Sequence, residues 1–122
     1  MLCVDNEMDI LTGMVSLLSR WGCEIRTATD LLSGLKAIDS RWIPNVILSD
    51  YRLEHGRTGL EVLQQCRLRF GNHFEGIIIS ADRTQEMMDA IQSNGFGFLS
   101  KPVKPIKLRA VLNRVQREQS SL

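Results

Sequence analysis

The chain has 122 residues, 43% hydrophobic and 24% charged, which is enough for one domain with its own core and no disulfide or metal staple. Lysines and arginines number 15 against 14 aspartates and glutamates, a formal net charge of +1, so charge offers no broad basic face to nucleic acid. No apolar run approaches the roughly 20 residues needed to cross a bilayer, and Asp5, Glu7 and Asp9 arrive too early for a signal peptide. Cys3, Cys23 and Cys66 are odd in number and lack C-x-x-C spacing, so they read as buried, reduced thiols of an intracellular, cytoplasmic protein. His55 and His73 are too isolated to form a zinc site with them.

In chain order, Leu2 to Asp5 reads as a short apolar strand ending in an acid, with Asn6 as a helix N-cap. The strand opens directly at Met1, as expected of a domain cut from a longer chain. Leu11, Met14, Val15 and Leu18 then form one stripe on a helix ending near Gly22. Cys23 to Ala28 alternates as an edge strand does, and Thr29-Asp30 caps a helix with Leu31, Leu35, Ile38 and Trp42 inward, closed by Pro44. Val46-Ile47-Leu48-Ser49-Asp50 predicts a buried central strand with a carboxylate at its end.

After a loop from Arg52 to Thr58, a third helix begins at Gly59 with Leu60, Leu63, Cys66 or Arg67, and Phe70 at helical spacing, and stops at Gly71-Asn72. Gly76 to Ala81 is a second buried strand. Thr84 to Asn94 is a helix with Met87, Ala90 and Ile91 inward and Gly95 at its end. Phe96 to Ser100 is a fifth strand, Pro105 starts a last helix carrying Leu108, Val111, Leu112 and Val115, and Gln116 to Leu122 reads as a fraying tail. Five strands alternating with five helices predict an α/β fold, a doubly wound parallel sheet of order 2-1-3-4-5.

Ligands of such sheets sit at the carboxyl ends of the strands, where Asp5, Asp50, Ser80 and Lys101 all fall. Singly, each has an ordinary explanation: Asp50 as a cap, Ser80 as a hydroxyl bonded to backbone, Lys101 as a solvated side chain. Together at one edge they suit phosphoryl transfer onto Asp50 beside a hard cation such as Mg²⁺, with the lysine and the metal neutralising the transferring oxygens.

Val4-Asp5-Asn6-Glu7, the Asp50 strand, Gly59-Leu60-Glu61, Ile79-Ser80-Ala81 and Lys101-Pro102 resemble the response-regulator receiver domain of two-component signalling, over nearly the whole chain. The resemblance implies a flavodoxin-like fold, Asp50 as phosphoacceptor, Ser80 as the hydroxyl that turns to the phosphoryl group, Lys101 as its cation and Phe98 as the aromatic switch. It implies Mg²⁺ held by Asp5, Asn6, Asp50 and the Arg52 backbone carbonyl, a cis Lys101-Pro102 bond, and a domain that promotes its own phosphorylation and dephosphorylation. Leu2 to Glu7, Arg20 to Cys23, Ser80 to Arg83 and Lys101 to Pro105 are similar to bacterial receivers at the C-terminus of hybrid sensor histidine kinases. The implied partners are a histidine kinase core and a histidine phosphotransfer protein, with a homodimer through the fourth helix, fifth strand and fifth helix, and no membrane contact by this domain.

Two departures bear on these expectations. Asn6 stands where receivers carry a second acid, which weakens the metal site unless Glu7 reaches in. The loop after Asp50 lacks the usual proline, and Arg52 and Asp82, two residues after Asp50 and Ser80, are candidate modulators of phosphoryl lifetime. A degenerate receiver serving as a phosphorylation-independent interaction module is the alternative. A flavin or nucleotide binder of the same fold would need a Gly-rich phosphate loop after the first strand, which is absent.

Overall fold

Val46, Ile47 and Leu48 lie inside β3 (Val46–Asp50), a strand buried along its whole length. The computed structural model describes residues 1–39 and 41–120. The remaining elements are β1 (Leu2–Val4), α1 (Met8–Arg20), β2 (Arg26–Ala28), α2 (Leu31–Ala37), α3 (Gly59–Phe70), β4 (Glu75–Ser80), α4 (Gln85–Ser93), β5 (Gly97–Ser100) and α5 (Pro105–Ser120). All strand pairs are parallel in the order β2-β1-β3-β4-β5, as the βα alternation predicts.

The pleat divides the core in two. Val46, Leu48, Ile77 and Ile79 join Leu11, Met14, Leu18, Leu108 and Val115 on the side of α1 and α5. Ile47 and Ile78 join Leu35, Val62, Leu63, Met87 and Ile91 on the side of α2, α3 and α4. Covered on both faces, β3 and β4 need continuous apolar sequence, and each fully buried isoleucine contributes about 1.5–3 kcal/mol. The two strands that end beside Asp50 and Ser80 are thereby held rigid.

Helix starts near the site are fixed by side chains. Asp30 accepts from the Ser33 amide at 2.7 Å, and Ser33 Oγ accepts from the Asp30 amide at 3.2 Å. Thr58 and Glu61 make the same reciprocal pair at the start of α3, both bonds at 3.2 Å. Thr84 Oγ1 accepts from the Met87 amide at 3.3 Å to start α4.

Several local expectations are corrected. The N-cap of α1 is Glu7, not Asn6, and its side chain makes no capping hydrogen bond. Val15 is exposed, because the stripe of α1 is centred on Leu11, Met14 and Leu18. β2 begins only at Arg26, and α2 ends at Ala37 because Ile38 turns extended, so Ile38 and Trp42 reach the core from beyond the helix. The loop after Asp50 contains a short 3-10 turn, Glu54–Gly56, with His55 in the left-handed region at φ 62°. Residues 116–120 continue α5 rather than fray, and the rest of the expected tail, Ser121 and Leu122, lies outside the described residues. Cys3 and Cys66 are buried and Cys23 only partly; burial pushes the Cys3 thiol up to about 12 and the Cys66 thiol to about 11.

Candidate functional site

Four strands deliver one polar group each to the same sheet edge. Asp5 follows β1, Asp50 ends β3, Ser80 ends β4 and Lys101 follows β5; Asp50 registers with Ile79, and Ser80 with Ser100. Asp5, Asp50 and Ser80 are 4%, 7% and 4% exposed, so both carboxylates need a partner. Lys101 supplies it: its Nζ lies 3.3 Å from Asp50 Oδ2 and 3.5 Å from Asp5 Oδ2.

The charges set the chemistry. Burial raises the Asp50 carboxyl above its ordinary value, the Asp5 charge adds to this, and Lys101 opposes it. Burial alone would lower the Lys101 ammonium, but Asp5, Asp50 and Glu7 together outweigh it and raise it, so the cation stays charged. Asp5 Oδ1 accepts from the Glu7 amide at 2.9 Å, which holds one of its oxygens away from Lys101.

The backbone at Asp50 is fixed by a close approach. Ser49 Oγ donates to the Asp50 carbonyl at 3.1 Å, and the Gly59 amide donates to the Tyr51 carbonyl at 2.7 Å. A Cβ on Gly59 would collide with the Asp50 carbonyl and Ser49 Oγ, so only glycine lets α3 start there.

Ser80 Oγ accepts from the Asp82 amide at 3.0 Å. The Asp82 carboxylate in turn accepts from Arg52 Nε at 2.9 Å and Nη2 at 2.7 Å. Phe98 is half-buried against the α2–α3–α4 side of the core, with the Arg83 guanidinium 5.5 Å from its ring centroid. Asn6 and Glu7 are exposed at the rim beside Asp5. Asp5, Asp50, Ser80 and Lys101 therefore gather at one edge, with Asn6, Glu7, Arg52 and Asp82 beside them, whereas Phe98 lies further back in β5, registered with Ile78; the Lys101-Pro102 bond is cis, as expected.

Asp5 and Asp50 offer hard carboxylate oxygens, and the repulsion that raises Asp50 is what a divalent cation relieves, so the donor set fits a hard ion such as Mg²⁺. Its charge is reduced at Asn6: among the described residues, no three of His, Cys, Asp and Glu gather where they could hold a metal. A groove of about 690 Å³, lined by Trp21, Trp42 and Ile43, opens at the opposite edge where β1 and β3 begin, away from these charges.

The roles of Ser49, Thr58 and Arg83 were not foreseen. The Thr58-x-x-Glu61 pattern is a readable capping signal, whereas the Ser49 and Arg83 contacts depend on the folded sheet.

A family model of the response regulator receiver domain matches residues 1–113. The chain belongs to this family. The receiver is similar to the receiver domain of NtrX from Brucella abortus, at 33% identity and TM-score 0.80, covering 93% of this chain and 95% of that one. It is similar to the chemotaxis protein CheY4 of Vibrio cholerae, at 26% identity and TM-score 0.81, over 93% and 95% of the two chains. A CheY-like receiver protein from Methanospirillum hungatei JF-1 shares the fold at TM-score 0.87 and 22% identity, over 99% and 96%. No protein of curated function matches the chain. The receiver is thus a domain of two-component signalling, a class whose partners are phosphotransfer proteins, and no described helix is long and apolar enough to cross a membrane.

Proposed function

We propose that this receiver takes a phosphoryl group from a phosphohistidine onto Asp50. The observation that carries the reading is the Lys101 ammonium set between the buried Asp50 and Asp5 carboxylates, with Ser80 at the next strand end. An Asp50 carboxylate oxygen attacks phosphorus, an O–P bond forms as the P–N bond breaks, and the electron pair returns to the imidazole nitrogen. Lys101 neutralises the transferring oxygens, and the Ser80 hydroxyl turns to donate to one of them. Asp5, Asp50, the Asn6 amide oxygen and the Arg52 carbonyl would hold Mg²⁺, which neutralises charge on the phosphoryl oxygens when bound.

Phe98 then repacks inward and alters the face of α4, β5 and α5. That face carries exposed Glu86 and Asp89 on α4 against Lys104 and Lys107 near the start of α5, an opposite-charge pattern that supports a homodimer across it. Glu7, Arg52 and Asp82 at the rim tune phosphoryl lifetime. The donor is a histidine kinase core and the next acceptor a histidine phosphotransfer protein; the motifs shared with hybrid kinase receivers support an origin in such a cytoplasmic signalling chain.

One observation favours a second reading: Asn6 removes an acid from the metal site, as in a receiver that has become a phosphorylation-independent interaction module. Incubation with a small acyl phosphate and Mg²⁺, read by intact mass, separates the two. The phosphoacceptor reading expects one added phosphoryl group on the parent and none on Asp50→Asn. Equal labelling of Asp50→Asn overturns it, and an unlabelled parent supports the interaction module.

A further inference from the structure

The three residues after Ser80 are fastened on three sides. The Asp82 amide donates to Ser80 Oγ. The Asp82 carboxylate holds Arg52, which follows Asp50 by two residues, through two bonds to one oxygen. Arg83 lies over the Phe98 ring. Ser80 also accepts the Lys101 amide on its carbonyl at 3.0 Å, so its backbone is pinned and only its hydroxyl is free to turn.

We propose that Ala81–Arg83 is a strap that holds the switch in its unphosphorylated arrangement, with Arg52, Asp82 and Arg83 as positioning residues for Ser80 and Phe98. The inference deepens the phosphoacceptor reading and rests on it for its use, not for its existence. The Ser80 hydroxyl turns to donate to a phosphoryl group on Asp50, and that turn draws its oxygen away from the Asp82 amide that now bonds it at 3.0 Å. While Arg52 grips Asp82, that amide stays in place and the hydroxyl keeps its local partner. Arg83, next in the chain, is then held where its cation faces Phe98.

The catch is built to open. Arg52 and Asp82 are 77% and 49% exposed, and a pair this solvated is weak and screened by salt. A phosphoryl group on Asp50 carries more charge than one carboxylate and appears two residues from Arg52, so it competes for the same guanidinium. Once Arg52 turns to it, Asp82 is released, Ser80 loses its local donor, and Arg83 slackens from Phe98. The arrival of charge at Asp50 thus reaches the aromatic ring through Arg52, Asp82 and Arg83, side chains outside the Asp5–Asp50–Lys101 cluster.

The rival explanation is that these are separate surface contacts. Arg52 decides between them, because its ion pair is with Asp82 and the cation over Phe98 is Arg83. Ring carbons of Phe98 are followed by NMR relaxation dispersion in the ligand-free full chain, for the parent, Arg52→Gln, Arg83→Gln and Arg83→Lys. The strap predicts that Arg52→Gln and Arg83→Gln each raise the minor, inward Phe98 population about two- to fivefold. Arg83→Lys, which keeps a cation, lies between, and added salt shifts the parent but not Arg52→Gln. An unchanged Phe98 population in Arg52→Gln overturns the strap, even where Arg83→Gln has an effect. Beryllofluoride with Mg²⁺ is then added to the parent: absence of any response removes the phosphoacceptor reading, while the ligand-free comparison still decides the strap.

Discussion

The Lys101 ammonium lies 3.3 Å from the Asp50 carboxylate and also reaches Asp5 at 3.5 Å, so one cation from the end of β5 serves acids from two other strands. Removing it leaves two buried like charges facing each other. Lys101→Met is expected to lose about 2 kcal/mol at neutral pH, less than for a fully buried pair because Lys101 remains partly solvated. Adding Asp50→Asn should restore most of that loss. Urea denaturation of the two single variants and the double variant checks the coupling.

The Asp50 carboxyl gives a pH test with a definite sign. Its folded value is raised by burial and by Asp5, so the contribution to stability is fully present below the unfolded value and is lost as pH rises through the folded one. At neutral pH the ionised group therefore opposes folding. Asp50→Asn is expected to be more stable than the parent there, by about 1 kcal/mol or a rise of about 4 °C in Tm. The gap should narrow as pH falls through the carboxylate range, which thermal melts across a pH series would show.

Two glycines with opposite surroundings test the close approach at the strand that ends in Asp50. Gly59→Ala forces a Cβ into the Asp50 carbonyl and should cost about 1–3 kcal/mol while shifting Asp50 backbone signals. Gly13, exposed within α1, has nothing within 4 Å of the position a Cβ would take. Gly13→Ala should stabilise by about 0.5–1 kcal/mol and leave the site unchanged. Chemical denaturation and amide spectra distinguish the two.

Thr58→Ala breaks the reciprocal cap with Glu61 and should cost about 1 kcal/mol. The same denaturation assay applies, with Thr58→Ser expected to retain most of the stability.

The readable parts of the chain are those governed by one dominant force. Val46 to Leu48 and Ile77 to Ile79 must be buried on both faces, so their strands and the placing of Asp50 and Ser80 follow from apolar runs, and the sheet order follows from the βα alternation. Asparagine caps well, so Asn6 reads as a cap, but the Glu7 amide donates to the Asp5 carboxylate and the helix starts one residue later. Trp42 lay at helical spacing yet enters the core from an irregular stretch after α2, since periodicity does not fix where a helix stops. Arg52 and Asp82 are 30 residues apart, and their ion pair exists only because β3 and β4 end side by side. Neither composition nor spacing announces such a contact.

The central claim is that Asp5, Asp50, Ser80 and Lys101 form a working phosphoryl site despite Asn6. Titration of the full chain with beryllofluoride and Mg²⁺, followed by amide NMR, tests it most directly. The account predicts saturable, Mg²⁺-dependent shifts at Asp50, Ser80, Lys101 and Phe98, all absent from Asp50→Asn. No response at saturating Mg²⁺, or the same response in Asp50→Asn, would contradict it.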